Sequence, residues 1–428
     1  MKNFGFIIIG LFSCFSLHAV PVNVFDEFPL PDSLRKKIEA AKDEREKIDA
    51  LNDACFYFSD KMPRRVMPVA QKIVYWADSL DYWSGLFDAI NNLGILFYRT
   101  SQYTQAIACF NEGLKIADQL NDAGRQAAIL SNLGLVYTEL SEFQRAIDFH
   151  QHALKIREKR KDTLAIALSF NNLGMTYHAR GEWNMALSYY QKAVRTLELT
   201  PYKLALANTY NNIGQLFFTC YHDTSTWAAD SAELYFMKAY TRYTVDDNRV
   251  GVVKTLINLG NTYAVIGNAE KAIDAYRAAL NQQRQMADSA GMALTLFNMG
   301  VLFDDLGDAK RSSEYLSESL KLAETHQQAE LCRDIYQQLF DIARKGNDFT
   351  RATLYAASVF AINDSLNNLA KQLLIEQFQG KYNFQEVENT QLSSELKKWQ
   401  RIAWIAMGMA MLIVIAFGFR VIRKKSVV

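Results

Sequence analysis

Six asparagines occupy one recurring slot in this chain: Asn92, Asn132, Asn172, Asn212, Asn258 and Asn298, each followed by Leu, Ile or Met and then Gly. A primary amide carries N–H donors and a carbonyl acceptor on one side chain. A row of them can pair with the N–H and C=O groups of another polypeptide whatever its sequence. The competing reading is that each amide serves contacts within its own helix. One position past each glycine the side chain varies, through Ile95, Leu135, Met175, Gln215, Asn261 and Val301. That mixture could set a preference among protein or peptide ligands.

Residues suited to bond-making chemistry do not gather. The chain has no HExxH, GxSxG or phosphate-cradling glycine loop. His150 and His152 lie two apart, which on a helix separates their faces, and His178 follows further on. A three-histidine metal site is one reading of these; a packing role for His150 and surface roles for the others is the better one. Asp304 and Asp305 read as a solvated helix end rather than a catalytic dyad. Five cysteines, Cys14, Cys55, Cys109, Cys220 and Cys332, lie far apart with no CxxC spacing, so neither a zinc site nor a disulfide framework is signalled. The formal charge of +1 supplies no basic field for nucleic acid. The expectation is a binding protein, not an enzyme, with no cofactor and no metal.

The elements that would hold the asparagines repeat with them. The glycines Gly94, Gly134, Gly174, Gly214, Gly260 and Gly300 step by 40, 40, 40, 46 and 40 residues. Three residues after each stands an aromatic: Phe97, Tyr137, Tyr177, Phe217, Tyr263 and Phe303. Further on come small–bulky–small triplets: Ala106/Phe110/Gly113, Ala146/His150/Ala153, Ala186/Tyr190/Ala193, Ala232/Phe236/Ala239, Ala272/Tyr276/Ala279 and Ser312/Leu316/Ser319. Spacings of three, four and seven put each set on one helical face. Small residues such as Gly94 and Ala106 let two antiparallel helices approach closely, and turn residues (Ser101-Gln102, Gly181-Glu182, Gly267-Asn268, Gly307-Asp308) separate them. One hairpin cannot bury its apolar face, but stacked hairpins can, which predicts an all-α solenoid with a concave surface.

This pattern resembles the tetratricopeptide repeat, with its L-G…Y…A…F…A signature. The usual period is about 34; a period of 40 implies longer helices, as in the variant resembling kinesin light chains. The resemblance implies a right-handed superhelical solenoid of antiparallel helix pairs spanning residues 47–368, after a linker or first helix over 20–46. Degenerate units flank the six clear ones: Ala54, Tyr57 and the 75–80 helix end before them, Leu339, Ala352 and Tyr355 after, with Phe340 where Gly is expected. The resemblance also places the asparagine slot on the first helix of each pair, facing the concave groove, like the asparagine ladder of peptide-binding members. The fourth repeat carries six extra residues near Tyr221 to Asp230, expected as a longer turn.

Both ends carry membrane signals. Lys2, an apolar run from Phe4 to Leu17 and a small Ala19 read as a signal peptide over 1–19, the rival being lipid attachment at Cys14. Ile402 to Phe419 is uncharged and reads as a transmembrane helix, with Trp399 and Trp404 at its entry and Arg420, Arg423, Lys424 and Lys425 following. Residues 420–428 would then be a short basic cytoplasmic tail, too short for an output domain, and the repeats would stand outside the cytoplasm, in bacteria at the inner membrane. Between repeats and span, 369–401 reads as a juxtamembrane coiled-coil-like helix. Ile375, Phe378, Tyr382, Leu392, Leu396 and Trp399 fit a heptad with polar Gln385 and Asn389 inside it. Residues 375–399 would pair two copies as a homodimer, or form a single connecting helix. The whole order resembles the exported sensor half of bacterial membrane regulators, without their cytoplasmic output domain.

Overall fold

The structure, a computed structural model, describes residues 30–59, 62–198, 200–224 and 226–365. They fall within one compact unit, Met1–Leu369; a second, Ala370–Val428, lies wholly outside them. The signal peptide, the heptad segment, the span at 402–419 and the basic tail therefore lie outside the described residues. No helix among the described residues is long and apolar enough to cross a membrane.

Every described element is a helix. After α1 (Asp32–Ala40), helices pair as α2 (Glu44–Phe58) with α3 (Pro63–Ser79), α4 (Trp83–Arg99) with α5 (Tyr103–Gln119), α6 (Ala123–Glu139) with α7 (Phe143–Arg160), and α8 (Thr163–Ala179) with α9 (Trp183–Glu198). The series continues with α10 (Lys203–Thr224) and α11 (Thr226–Val245), α12 (Arg249–Val265) and α13 (Ala269–Gln285), α14 (Ser289–Asp305) and α15 (Ala309–Thr325), and α16 (Ala329–Lys345) with a last helix, α17, over 349–365. First helices touch the first helix of the next pair, α2 with α4, α4 with α6 and so on to α14 with α16, whereas second helices make no comparable contact with one another. The first helices therefore form the inner layer of the solenoid.

The 40-residue period has a local cause. Helices α4, α5 and α6 are each 17 residues long, about 25 Å. Helices α3 to α8 and α11 to α16 end in a turn that holds one left-handed residue, for example Ser101 (φ 60°), Asn121 (51°), Ser141 (58°) and Gly181 (83°). The residue after it donates its N–H back across the turn, Gln102 to Phe97 O at 2.8 Å and Asp122 to Ala117 O at 3.0 Å, which satisfies the last carbonyls of the helix. That residue then caps the next helix: Asp122 Oδ1 accepts from Gly124 N at 2.8 Å, and Asp162 Oδ1 from Ala165 N at 3.0 Å.

In the long repeat the expected longer turn is not present. The extra residues extend the helices instead, α10 to 22 residues and α11 to 20, on either side of residue 225. Residues 221–230 hold no Gly or Pro, so helix runs up to residue 224 and again from 226.

Packing within each pair turns on one contact. Phe110, Tyr190, Phe236 and Tyr276 lie fully buried on the second helices, against Gly94, Gly174, Gly214 and Gly260 of the first; Leu316 does the same against Gly300. A methyl group on Gly94 would stand 2.6 Å from the Phe110 ring, and one on Gly174 2.6 Å from Tyr190. Ala106, Ala146, Ala186, Ala232 and Ala272 are fully buried one turn before the bulky residue, and Ser312 in their place donates to Gly300 O at 2.7 Å.

Candidate functional site

Five of the six asparagines reach from their own first helix to the preceding one, and their amides bridge the repeats. Asn132 Nδ2 donates to Asn91 Oδ1 at 2.8 Å, Asn212 to Asn171 at 3.0 Å, Asn258 to Asn211 at 3.0 Å and Asn298 to Asn261 at 3.1 Å. Asn92, buried, donates to the Asn52 carbonyl at 2.9 Å. Asn172 is half-buried in the same slot, its backbone carbonyl accepting from Thr176 Oγ1 at 3.0 Å. One N–H of each bridging amide is thus engaged between repeats. Of the second residues of these bridges, Asn261 was noted in the sequence only as a variable position after its glycine, and Asn91, Asn171 and Asn211 were not singled out. The doublets Asn91-Asn92, Asn171-Asn172 and Asn211-Asn212 are the signal that could have found three of them.

At the N-terminal end the inner layer opens into a cavity of about 890 Å³. Its wall is mostly apolar: Phe56 and Tyr57 from α2, Ile95 and Tyr98 from α4, Leu135 from α6 and Leu34 from α1, with Asp53, Arg99 and Asn132 among them. Phe56 is 61% exposed, although it is a large aromatic. Tyr98 donates to Glu139 Oε1 at 3.2 Å, and burial, reinforced by that carboxylate, holds its phenol well above the usual range. Asp53 pairs with Lys37 of α1. Of the residues one past each glycine, Ile95 and Leu135 line this cavity; Met175 is exposed elsewhere on the layer, while Gln215, Asn261 and Val301 are half-buried.

The histidines do not converge. His150 is fully buried against Gly134, with no hydrogen-bond partner on either ring nitrogen. Burial first, and the nearby Arg157 charge second, lower its pKa to about 3. His152 lies at the surface beside Asp148 and Lys155. Among the described residues no group of three or more His, Cys, Asp or Glu is placed to hold a metal ion. Cys55 and Cys332 are buried and free, and Cys109 is free with its thiol pushed up to about 12 by burial.

In four of the pairs the aromatic three residues after the glycine, Tyr137, Tyr177, Phe217 or Phe303, stacks on a second-helix aromatic. Tyr137 stacks on Phe149 at 5.4 Å with Arg145 over it at 4.5 Å, and Phe303 on Tyr315 at 5.3 Å with Arg311 over it at 4.5 Å. These rings clamp one helix to the other.

A solenoid of paired helices with this glycine–aromatic register is what comparison with known proteins returns. The family model described as "Tetratricopeptide repeat" matches residues 86–159, 164–225 and 251–325. The chain belongs to the tetratricopeptide-repeat family. No curated protein matches the chain. Among solved structures it is similar to the apo form of the quorum sensor NprR from B. thuringiensis, with a TM-score of 0.56 at 15% identity over 77% of this chain and 91% of that one. A Rap protein complexed with Competence and Sporulation Factor gives a TM-score of 0.52 at 16% identity over 81% of this chain and 94% of that one. The signal transduction ATPase with a tetratricopeptide repeat sensor from Pyrococcus horikoshii gives 0.56 at 14% identity, over 82% of this chain and 54% of that one. At these identities the likeness is one of fold.

Proposed function

We propose that this protein holds an extended polypeptide along the inner face of its first helices. The observation that carries this reading is the cavity of about 890 Å³ that α2, α4 and α6 wall together, large enough for several side chains of a bound peptide. Apolar residues there would supply affinity, and amide groups at its edge such as Asn132 would pair with peptide N–H and C=O groups. The Rap neighbour, solved with Competence and Sporulation Factor bound, is a precedent for a ligand on a solenoid of this fold. No covalent chemistry enters the proposal.

The reading includes where the solenoid stands. Residues 1–19 direct export, 402–419 anchor the chain in a bacterial inner membrane, residues 420–428 face the cytoplasm and the repeats over 47–368 stand outside it. The juxtamembrane stretch 375–399 would join two copies or connect solenoid and span as a single helix. In a signalling version of the same proposal, occupancy of the groove reaches a separate cytoplasmic partner through that stretch.

The test replaces Asn132, Asn172 and Asn212 together by alanine. Each hydrogen bond lost is worth about 0.5–1.5 kcal/mol, so capture of a partner polypeptide should fall by about ten-fold to several hundred-fold with helicity retained. Since two of these amides, Asn132 and Asn212, bridge repeats, circular dichroism and thermal melting are read on the same protein. Undiminished capture by a folded variant rules this face out. For topology, protease added to cells with a permeable outer layer should digest the repeats and leave a membrane fragment; survival of the intact chain would exclude the exported arrangement.

A further inference from the structure

The last described helix leaves one apolar face open. Helix α17 is held on one side by buried Ala352 and by Tyr355 and Ile362, which pack against the core cluster of α14, α15 and α16. On the other side Phe349 is 68% exposed, Leu354 63% and Phe360 76%. A terminal unit that closed the solenoid against water would show a polar face there. Counted from the small residue of its pair, Phe360 holds the slot of Leu114, Leu154, Val194, Tyr240, Leu280 and Leu320, eight positions on. Each of those six packs into a core cluster. Phe360 thus continues an apolar slot that is covered in every earlier pair.

The exposed face has the form of a helix–helix seam. Phe349, Thr353, Ala356 and Phe360 are all exposed and recur at steps of four, three and four. Between Phe349 and Asn363 the only charge is Arg351, which pairs with Asp348. Ala356 stands where earlier second helices carry Phe110 or Tyr190, and Phe340 of α16 stands where their first helices carry glycine. The large ring has moved to α16, and the centre of the seam on α17 is small.

Along the helix the seam runs large, small, small, large, the same order from either end. A two-fold contact sets a helix against its own copy in reverse order. Phe349 of one copy then lies opposite Phe360 of the other, and Thr353 opposite Ala356. Small residues at the centre let the helices cross closely, and the phenylalanines fill the space where they diverge. We propose that two copies of this chain meet here, α17 against α17 about a two-fold axis. Four phenylalanines, each burying up to about 150–250 Å², put the contact at the small end of specific interfaces, below about 1,200 Å², so it is reversible. The proposal goes beyond the groove reading and does not use the stretch 375–399. The N-terminal cavity lies at the other end of the repeat series and stays free in both copies.

The experiment places a photo-crosslinking residue, p-benzoylphenylalanine, at Phe360 of the full chain, expressed in cells beside an unsubstituted copy with a second epitope tag. After irradiation, adducts are sized on gels and mapped by mass spectrometry of tryptic peptides. The expected result is a species carrying both tags, joined through residues 346–351, the tryptic peptide that contains Phe349. It should fall by about ten-fold or more when both copies carry Ala356→Arg, which sets like charges beside the axis. Ala356 is exposed, so circular dichroism should not change. Thr353→Arg serves if Ala356→Arg unfolds. An adduct confined to one chain, one to another protein only, one between copies at other peptides, or none overturns the proposal. So does a two-tag adduct undiminished in a folded arginine variant.

Discussion

Two neighbouring pairs of the solenoid are built to one plan and differ at its centre. In α8–α9 the bulky slot holds Tyr190, pressed on Gly174; in α6–α7 it holds His150, pressed on Gly134. Both side chains are buried, and both glycines closely approach their ring: a methyl group there would stand 2.6 Å from Tyr190 Cδ1 and 2.5 Å from His150 Cε1. The aromatic ring returns apolar area to the core. The imidazole brings two polar nitrogens that find no partner. Apolar packing divides at the same place: one cluster runs from Ile38 to Ala146, and the next takes in Ile147, Ala167 and residues beyond. A polar seam lies between them, with Arg157 donating to Ser169 Oγ at 2.7 Å and Thr138 bonded to Thr176 at 2.9 Å. The difference teaches that the slot selects a bulky side chain that fits against glycine, rings in most pairs and Leu316 in one, and tolerates polar nitrogens without supplying them a partner.

Truncation should break the comparison most widely. Tyr190→Ala should cost about 3–5 kcal/mol, the range for removing a large buried aromatic. His150→Ala should cost distinctly less, because it also removes two buried nitrogens with no partner. Equal losses in denaturant melts would show that His150 packs as well as a tyrosine.

Overpacking comes next. Ala146 is fully buried one turn before His150, so Ala146→Leu should destabilise by about 1–3 kcal/mol. Neighbouring repeats should loosen with it, since each relies on its interfaces. An unchanged melting curve would place the two helices in another register.

Acid should separate the pairs by a similar amount. Because the folded state holds His150 down to about 3 from an ordinary value of 6.5, the unfolded chain binds this proton first as pH falls. The stability lost through His150 therefore begins below about 6.5 and accrues down to about 3, reaching about 2 kcal/mol by pH 5. His150→Phe should abolish that part of the acid sensitivity. Parallel pH profiles for the variant and the natural protein between pH 7 and 5 would show that the imidazole is not the group responsible.

The smallest effect is at pH 7, where His150→Phe should stabilise by about 1 kcal/mol, from the desolvated nitrogens removed. Phe110 already fills the equivalent slot against Gly94 one pair earlier, so the ring fits. A melting temperature that falls instead would mean the slot around Gly134 is shaped for imidazole alone.

The site was less legible than the frame. Asn132 and Asn212 could be picked out from the sequence as a row of amides, but not that each gives a hydrogen to an asparagine 41 positions earlier. That pairing depends on how far one first helix is offset from the next, which no local spacing encodes. The cavity was missed for the same reason. Its wall joins α1 to the inner faces of three later helices; Tyr57, Ile95, Phe110, Asn132 and Leu135 stood out beforehand, but none as part of a cavity.

What the sequence determined by itself is what one or two adjacent helices can settle. Glycine, aromatic and small residues at spacings of three, four and seven specify a helical hairpin, and a glycine step of 40 residues, 46 in one repeat, sets its length. Stacking follows because a lone hairpin cannot bury its apolar face. Tertiary structure alone decided whether a buried polar group would find a partner, and which helices would share a cavity. His150 shows the first: its slot was readable as core, but the absence of any acceptor or donor beside its ring emerges only when α6 and α7 close around it. Helix propagation through the extra residues of α10 and α11 shows a related limit, since an insertion without glycine or proline can lengthen a helix as readily as a loop, and packing against the partner helix selects between them.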